Sequence, residues 1–219
     1  MRTYVRMLIV IILVAGLMDM PVLGSAVNAL GTVVQSENAK LDNVSATSGT
    51  TVYAGDSLAA GADGSVRLRF SGSQLFLMGG GAATLDGSAT NVSATLTQGA
   101  AAFTTTGAGI EVRTPHAVVH AKNADATQAR VMLVSEDEIV VSSFRGTVAV
   151  EADGQTYTIE AGKSYRVVSE LEPDPRGVQR SGVRKRRTLL KLILLGGAAG
   201  FGAWGIQEAF ESPIAPSKK

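Results

Sequence analysis

The chain has 219 residues and no cysteine, which excludes a disulfide scaffold, a thiolate metal site and a cysteine nucleophile. Residues 30–172 contain 9 Lys and Arg against 15 Asp and Glu, whereas residues 176–191 contain 7 basic residues and no acidic one. A domain with this acidic balance lacks the charge of a nucleic-acid binder, so we expect no nucleic-acid partner.

The N-terminal residues 1–29 have the parts of a secretory signal. Two arginines precede the apolar run Met7–Met18, and small residues follow it. The run is short for a bilayer span, which takes about 20 residues. The sequence predicts a signal peptide with cleavage after Ala29 or, as a second choice, after Ala26; the alternative is an uncleaved anchor. In either case the rest of the chain is exported.

Residues 30–170 show the period-two alternation of β-strands. In Ser65–Phe70 the apolar Val66, Leu68 and Phe70 alternate with Arg67 and Arg69, as in a sheet with one buried face. Turn-forming stretches such as Ala62-Asp63-Gly64 separate such runs, and no helical period appears. The sequence predicts a single all-β domain over residues 30–170, with about a dozen short strands in a sandwich or a β-roll, solenoid-like arrangement.

Glycines recur at one position of an internal pattern. Thr, an aliphatic residue, two further residues and Gly occur at Gly55, Gly99 and Gly162. We expect each glycine to supply a positive φ at a sharp turn between two strands. Their spacings are too uneven for a regular solenoid and indicate recurring corners of one folded unit.

The ordered motifs of the domain resemble the FecR-like extracytoplasmic domain. The most specific matches are Gly55-Asp56 and Arg145-Gly146-Thr147-Val148. The other matching segments are Gly31–Val34, Gly49–Tyr53, Ala60–Phe70, Gln74–Met78, Leu96–Phe103, Ile110–Ala117 and Ile159–Tyr165. The resemblance implies an all-β fold, a periplasmic location and family turn glycines at Gly55, Gly99, Gly146 and Gly162.

The best-known members of that family relay a signal from an outer-membrane receptor to a cytoplasmic sigma factor through an N-terminal cytoplasmic arm. Here six residues precede the apolar run. The resemblance is therefore to the short, stand-alone type that lacks the arm.

A second apolar segment, Thr188–Ile206, is long enough to cross a bilayer. The sequence predicts a basic linker over residues 171–187, a transmembrane helix over 188–207 and a polar tail over 208–219. We expect a membrane-interface basic cluster of Arg184, Lys185, Arg186, Arg187 and Lys191, the alternative being a solvated linker. Gly196 and Gly200 have the GxxxG spacing of a helix-packing face, which would support a homodimer.

The basic cluster leaves the orientation of this segment open. If the domain is exported and the helix crosses back, the cluster lies outside, against the positive-inside rule. A segment that lies along the membrane surface, with its arginines on anionic headgroups, would remove the conflict.

No residue set indicates catalysis. His116 and His120 are four residues apart in a segment that favours a strand, with Glu111 and Asp125 as the only further candidate ligands nearby, so we predict no metal site. The acidic cluster Ser135–Glu138 could bind a cation but is more typical of a hairpin tip. Catalytic serine, phosphate-loop and paired-carboxylate motifs are missing. The sequence predicts a protein without cofactor that is not an enzyme.

These patterns predict an exported, membrane-attached binding or assembly module of the bacterial envelope, with its domain in the periplasm. Its partner would be the membrane together with an envelope protein, bound by strand addition, or a cell-wall polymer. The alternative is a membrane signalling regulator, related to sigma-factor regulation, that relays an outside signal by self-association through Gly196 and Gly200.

Overall fold

The computed structural model describes residues 29–107, 109–171 and 188–197, and the regular structure within them is entirely β-strand. The strands are β1 (Ala29–Leu41), β2 (Val44–Ser45), β3 (Thr51–Tyr53), β4 (Ser57–Phe70), β5 (Ser73–Leu77), β6 (Ala82–Ser88), β7 (Asn91–Gln98), β8 (Ala100–Thr105), β9 (Ile110–Arg113), β10 (Val118–Ala121), β11 (Thr127–Ser135), β12 (Glu138–Arg145), β13 (Val148–Ala152), β14 (Gln155–Ile159), β15 (Lys163–Leu171) and β16 (Thr188–Gly197). The predicted all-β class is confirmed.

The strands form one continuous sheet in the order β14-β13-β10-β9-β7-β6-β4-β5-β8-β11-β12-β15-β16, and β1 pairs with β2, β3 and β4. Strand β4 is shared, because Ser57–Ala59 pair with β6 whereas Val66–Arg69 pair with β5. We call the strands on one side of β4 the β6 half; they are β6, β7, β9, β10, β13 and β14. The strands on its other side form the β5 half; they are β5, β8, β11, β12, β15 and β16. Contacts of β7 with β11, β8 with β9 and β14 with β15 show that the sheet curls until its halves meet.

The strand β4 continues through the predicted break at Ala62-Asp63-Gly64, so that part of the prediction is wrong. The sheet bends there instead. A Cβ atom at Gly64 would lie 2.3 Å from the backbone oxygen of Asn38 in β1. Asn38 itself has a φ of 42° within a register shift between Glu37 and Ala39. The missing side chain allows two bent strands to approach closely, as glycine does at bulges and corners.

The core lies between the two halves and consists mainly of Leu, Val and Ala. Along β4, Val66, Leu68 and Phe70 are buried while Arg67 and Arg69 alternate with them on the outward face, as the sequence predicts. Leu68, Leu75 and Phe103 are 0% exposed. Each such side chain stabilises the fold by about 2 kcal/mol through burial alone.

The three glycines of the internal pattern and Gly146, the fourth turn glycine implied by the resemblance, all lie between strands and have positive φ. The angle is 96° at Gly55 between β3 and β4, 74° at Gly99 between β7 and β8, 73° at Gly146 between β12 and β13, and 76° at Gly162 between β14 and β15. At the last three the chain passes from one half of the sheet to the other. Gly146 has a second constraint, because a Cβ atom there would lie 2.5 Å from Thr127 Oγ1.

Residues Thr188–Gly197 form strand β16, where the sequence predicts the start of a transmembrane helix. The strand pairs antiparallel with β15 from Leu171↔Thr188 to Lys163↔Gly197. No helix is shown over these 10 residues, and the transmembrane helix over 188–207 stays a prediction. A short apolar run has no period that separates a strand from a helix, and β15 offers it backbone hydrogen-bond partners.

The other terminal predictions fall partly outside the described residues. Gly196, expected on a helix face, lies in β16, and Lys191 lies opposite Val168. Residues 1–28, the basic cluster from Arg184 to Arg187, and Gly200 lie outside the described part of the chain. Among the described residues no helix is long and apolar enough to span a bilayer.

Candidate binding cleft

Four arginines share the outward face of β4, β11 and the end of β12: Arg67, Arg69, Arg130 and Arg145. They are four of the 9 basic residues of a domain with 15 acidic ones. The outward positions follow from the period of two along each strand, since the inward neighbours Leu68 and Ala129 are fully buried. We call this surface the arginine face.

One row of side chains crosses the arginine face from Arg69 to Arg145. Register pairs connect Arg69 with Gln74, Gln74 with Thr104, Thr104 with Gln128, and Gln128 with Arg145. With about 4.8 Å between neighbouring strands, four steps separate the end residues by at most about 19 Å. The row is polar throughout, and both of its ends are cationic.

The neighbouring row combines arginines with aromatic rings. The Cζ atom of Arg67 lies 5.9 Å from the ring centre of Phe76, and that of Arg130 lies 5.9 Å from the ring centre of Phe144. Between them Ala102, although outward in register, is 0% exposed. Cation–π contacts at this range stabilise a guanidinium group against the sheet. Long side chains therefore cover this part of the face.

Burial and charge act together on these guanidinium groups. Burial lowers the pKa of Arg67, and the positive charge of Arg69 lowers it further. Burial alone lowers the pKa of Arg130. Both groups stay protonated at physiological pH, because an arginine side chain does not lose its proton in proteins. Burial and the neighbouring positive charge both disfavour the charged form of these groups. An anion placed on this face would favour the charged form.

A cleft of about 330 Å³ lies at the end of the arginine face. Its walls are the β4–β5 turn, the end of β8, the start of β11 and the end of β12. The lining includes Arg69, Gln74, Thr104, Gln128 and Arg145, the whole of the row described above. This volume lies in the range of pockets that hold small ligands or parts of larger ones.

Local hydrogen bonds fix the walls of the cleft. Thr106 donates both its backbone N–H and its hydroxyl to the backbone oxygen of Gly72, at 3.2 and 3.3 Å. On the opposite wall Thr127 Oγ1 donates to the backbone oxygen of Asp125 at 3.0 Å. The turn at Gly72, where φ is 80°, is thus tied to the end of β8.

The cleft contains a buried hydroxyl and two guanidinium groups that lack partners among the described residues. Ser73 lines it, is 5% exposed, and its Oγ has no hydrogen-bond partner among the described residues. Buried hydroxyls are normally satisfied, and an unsatisfied one costs about 1–3 kcal/mol. Arg69 and Arg145 have no carboxylate within ion-pair distance in the described part of the chain. An anionic group with hydrogen-bond acceptors would satisfy all three side chains.

The residues that the sequence analysis considered as metal ligands lie outside the cleft, and the two histidines have different carboxylate neighbours. His116 precedes β10 and lies 3.4 Å from Asp137, whereas His120 lies in β10, 3.3 Å from Glu151. Glu111 lies in the neighbouring strand β9, directly opposite His120, and forms an ion pair with Arg113 of its own strand. Within the described residues no group of three or more potential ligands is arranged to hold a metal ion.

Sequence reasoning missed the cleft. The alternation around Arg67 and Arg69 placed both outward, but nothing local connects them to Arg130 and Arg145. That connection depends on the pairing of β5 with β8 and of β8 with β11. The sequence held a signal for the arginines but not for the cleft, because Ser65–Phe70 and Thr127–Ser135 contain arginines and no acidic residue in an otherwise acidic domain.

Comparison with known proteins gives distant likenesses to solved structures. No protein-family model matches the chain, and no curated protein matches it. Two crystal structures of a "putative anti-sigma factor" from Parabacteroides distasonis ATCC 8503 resemble it, with 15% and 16% identity and TM-scores of 0.44 and 0.36. Each comparison covers 63% of this chain and 59% of the other. A likeness this distant carries no functional argument.

Proposed function

We propose that the chain is an exported, membrane-attached, non-enzymatic binding or assembly module of the bacterial envelope, and that it binds an acidic ligand in the arginine-lined cleft. The observation that carries this proposal is the row from Arg69 to Arg145, which is cationic at both ends in an acidic domain. Export rests on the signal-like residues 1–29, and membrane attachment rests on the apolar side chains of Thr188–Ile206, which can lie along the membrane surface as well as span it.

The chemistry of the cleft favours binding over catalysis. Its lining supplies guanidinium, amide and hydroxyl groups, which donate hydrogen bonds to an anion. The described residues that line it include no carboxylate and no imidazole to act as a general base for Ser73 or a threonine. Such a site holds an acidic group in place and leaves it unchanged.

Binding is tested on the full-length chain in mild detergent, with fluorescein-labelled poly-L-glutamate as the probe. The double variant R69Q/R145Q should weaken binding at least about tenfold, because each charge-assisted contact contributes about 1.5–3 kcal/mol and 1.4 kcal/mol is tenfold. The matched control is R113Q, which removes an exposed arginine from β9, outside the cleft. Equal affinities of R69Q/R145Q and R113Q would refute the assignment.

Location is tested by thiol labelling in whole cells, which is clean because the chain has no native cysteine. Single cysteines replace Ala89, which is exposed in the turn between β6 and β7, and Ser181 and Ser217 in the C-terminal region. We expect an impermeant reagent to label Ala89→Cys without lysis. Labelling only after lysis would place the domain in the cytoplasm and contradict the proposal.

The competing function, a relay by self-association through Gly196 and Gly200, makes a different prediction. Replacing both glycines by Leu would abolish signalling while poly-L-glutamate binding in the cleft stays intact. Because Gly196 lies in β16 rather than on a helix in the described residues, we favour the binding module.

A further inference from the structure

An acidic turn lies at the far end of the hairpin that forms one wall of the cleft. Strands β11 and β12 pair from Gln128↔Arg145 to Ser135↔Glu138, and Glu136 and Asp137 form the turn between them. Gln128 and Arg145 line the cleft at the open end. With about 3.3 Å per residue, the two ends of the hairpin lie about 25 Å apart.

The hairpin tip presents carboxylates to solvent. Glu136 is exposed and forms no ion pair with the described residues, and the Asp137 side chain is 66% exposed although it lies 3.4 Å from His116. Glu138, at the base of the turn, instead binds Arg166 at 2.7 Å. Val134, just before the turn, is 49% exposed, so an apolar side chain stands beside the acidic ones.

We propose that the cleft of one copy of this chain receives the acidic hairpin tip of a second copy. This inference rests on the proposed function and names the acidic ligand. Charge complementarity carries it, because among the described residues Arg69 and Arg145 have no carboxylate partner and Glu136 has no cationic partner. The buried hydroxyl of Ser73 gains an acceptor in the same contact. Two short acidic side chains fit a cleft of about 330 Å³.

The geometry makes the contact head-to-tail. The tip and the cleft of one molecule lie about 25 Å apart along the hairpin, so a copy cannot fill its own cleft. A contact between two different surfaces builds an open array, with one tip and one cleft unused at its ends, unless the rotation between copies closes the array into a ring. We expect the open array, whose cross-linked products form a ladder.

Disulfide trapping tests the contact in the full-length chain under its native membrane conditions. Ser135→Cys places a thiol beside the tip and leaves Glu136 and Asp137 unchanged, and Gln128→Cys places one in the cleft. Within one copy these positions are too far apart, because a disulfide needs Cα atoms within about 7 Å. We expect mild oxidation of the S135C/Q128C variant to produce a ladder of cross-linked species. The control S135C/A89C, with its second thiol at an exposed turn of the β6 half, should yield no ladder.

Charge variants added to S135C/Q128C decide whether the cleft and tip make the contact. Either E136Q/D137N or R69Q/R145Q should reduce the ladder at least tenfold, whereas R113Q should leave it unchanged. An equimolar mixture of E136Q/D137N and R69Q/R145Q copies should stop at pairs, because each copy keeps one working surface. Circular dichroism checks that each variant is folded.

The outcomes separate this inference from the proposed function. An absent ladder, or one insensitive to the charge variants, overturns self-association. If poly-L-glutamate still binds in an R69-dependent and R145-dependent way, the proposed cleft function stands without it. If that binding is also lost, both fail.

Discussion

Ser142 and Ser164 face each other across β12 and β15, with their hydroxyl oxygens 2.7 Å apart and both side chains at most 1% exposed. The variant S164A leaves the Ser142 hydroxyl without this partner, so we expect the free energy of unfolding to fall by about 1–3 kcal/mol. The double variant S142A/S164A should lose less than the sum of the single losses. Urea titrations of the three variants measure this coupling, and additive losses would contradict it.

Replacing Gly146 by Ala should destabilise the protein more than replacing Gly154 by Ala. Both glycines have positive φ, 73° and 75°, which costs an alanine about 1–2 kcal/mol. At Gly146 the new Cβ atom would also lie 2.5 Å from Thr127 Oγ1 and 2.8 Å from the backbone oxygen of Ala126, whereas at Gly154 it meets nothing within 4 Å. We expect an additional loss of about 1–3 kcal/mol at Gly146 from overpacking. Equal midpoints in thermal unfolding would show that the corner relaxes without cost.

The turn at Asp56 should make stability depend on pH in an unusual direction. Partial burial raises the pKa of Asp56 despite a hydrogen bond from the Tyr53 backbone N–H, and Asp42 raises it further. The folded state therefore holds this proton more tightly than the unfolded state. The contribution of Asp56 to the free energy of unfolding rises as pH falls through its folded pKa.

The variant D56N measures that contribution, because Asn keeps an acceptor for the Tyr53 N–H and removes the charge. We expect D56N to match or exceed the wild type in stability at pH 7. Its advantage should shrink as the pH falls through the folded pKa of Asp56. Urea titrations at a series of pH values give the difference, and an advantage that grows on acidification would reverse the assigned sign.

A cysteine pair can show whether residues 188–197 pair with β15. Val168 and Lys191 are directly opposed. Opposed Cα atoms in an antiparallel pair lie about 4.5–5.5 Å apart, within the range that a disulfide spans. The variant V168C/K191C should therefore oxidise within one chain. V168C/L189C is the off-register control, because Leu189 lies opposite Glu170. Failure of both pairs to oxidise would favour the helix that the sequence predicts.

Local patterns predicted the class of the fold and the outward direction of Arg67 and Arg69, because the period of two is a property of each strand. They failed at Gly64. From the sequence alone a glycine indicates a break in a strand, and its role in the close approach to Asn38 becomes visible only when the pairing of β1 with β4 is known. At Thr188–Gly197 the apolar run suits a strand as well as a helix, so the local pattern alone does not decide between them.

The cleft could not be predicted for a different reason. Arg69 and Arg145 are brought into one row by β5, β8 and β11, which are separated in sequence by strands of the other half. Each strand specifies which side chains face outward, but partner choice depends on the whole sheet. The hairpin tip Glu136-Asp137, in contrast, is encoded within a few residues, and the sequence indicated it.

The repeated passage of the chain between the two halves has a consequence for how the protein is made. Strand β8 pairs with β11, β10 with β13, and β12 with β15, and the second strand of each pair is synthesised later than the first. Neither half is therefore complete until nearly all of residues 29–171 have been synthesised. Such long-range pairing makes folding slow, because distant segments must meet before their contacts stabilise anything. We therefore expect a nascent chain of this design to stay unfolded until late in its synthesis, which would keep it competent for the export proposed above.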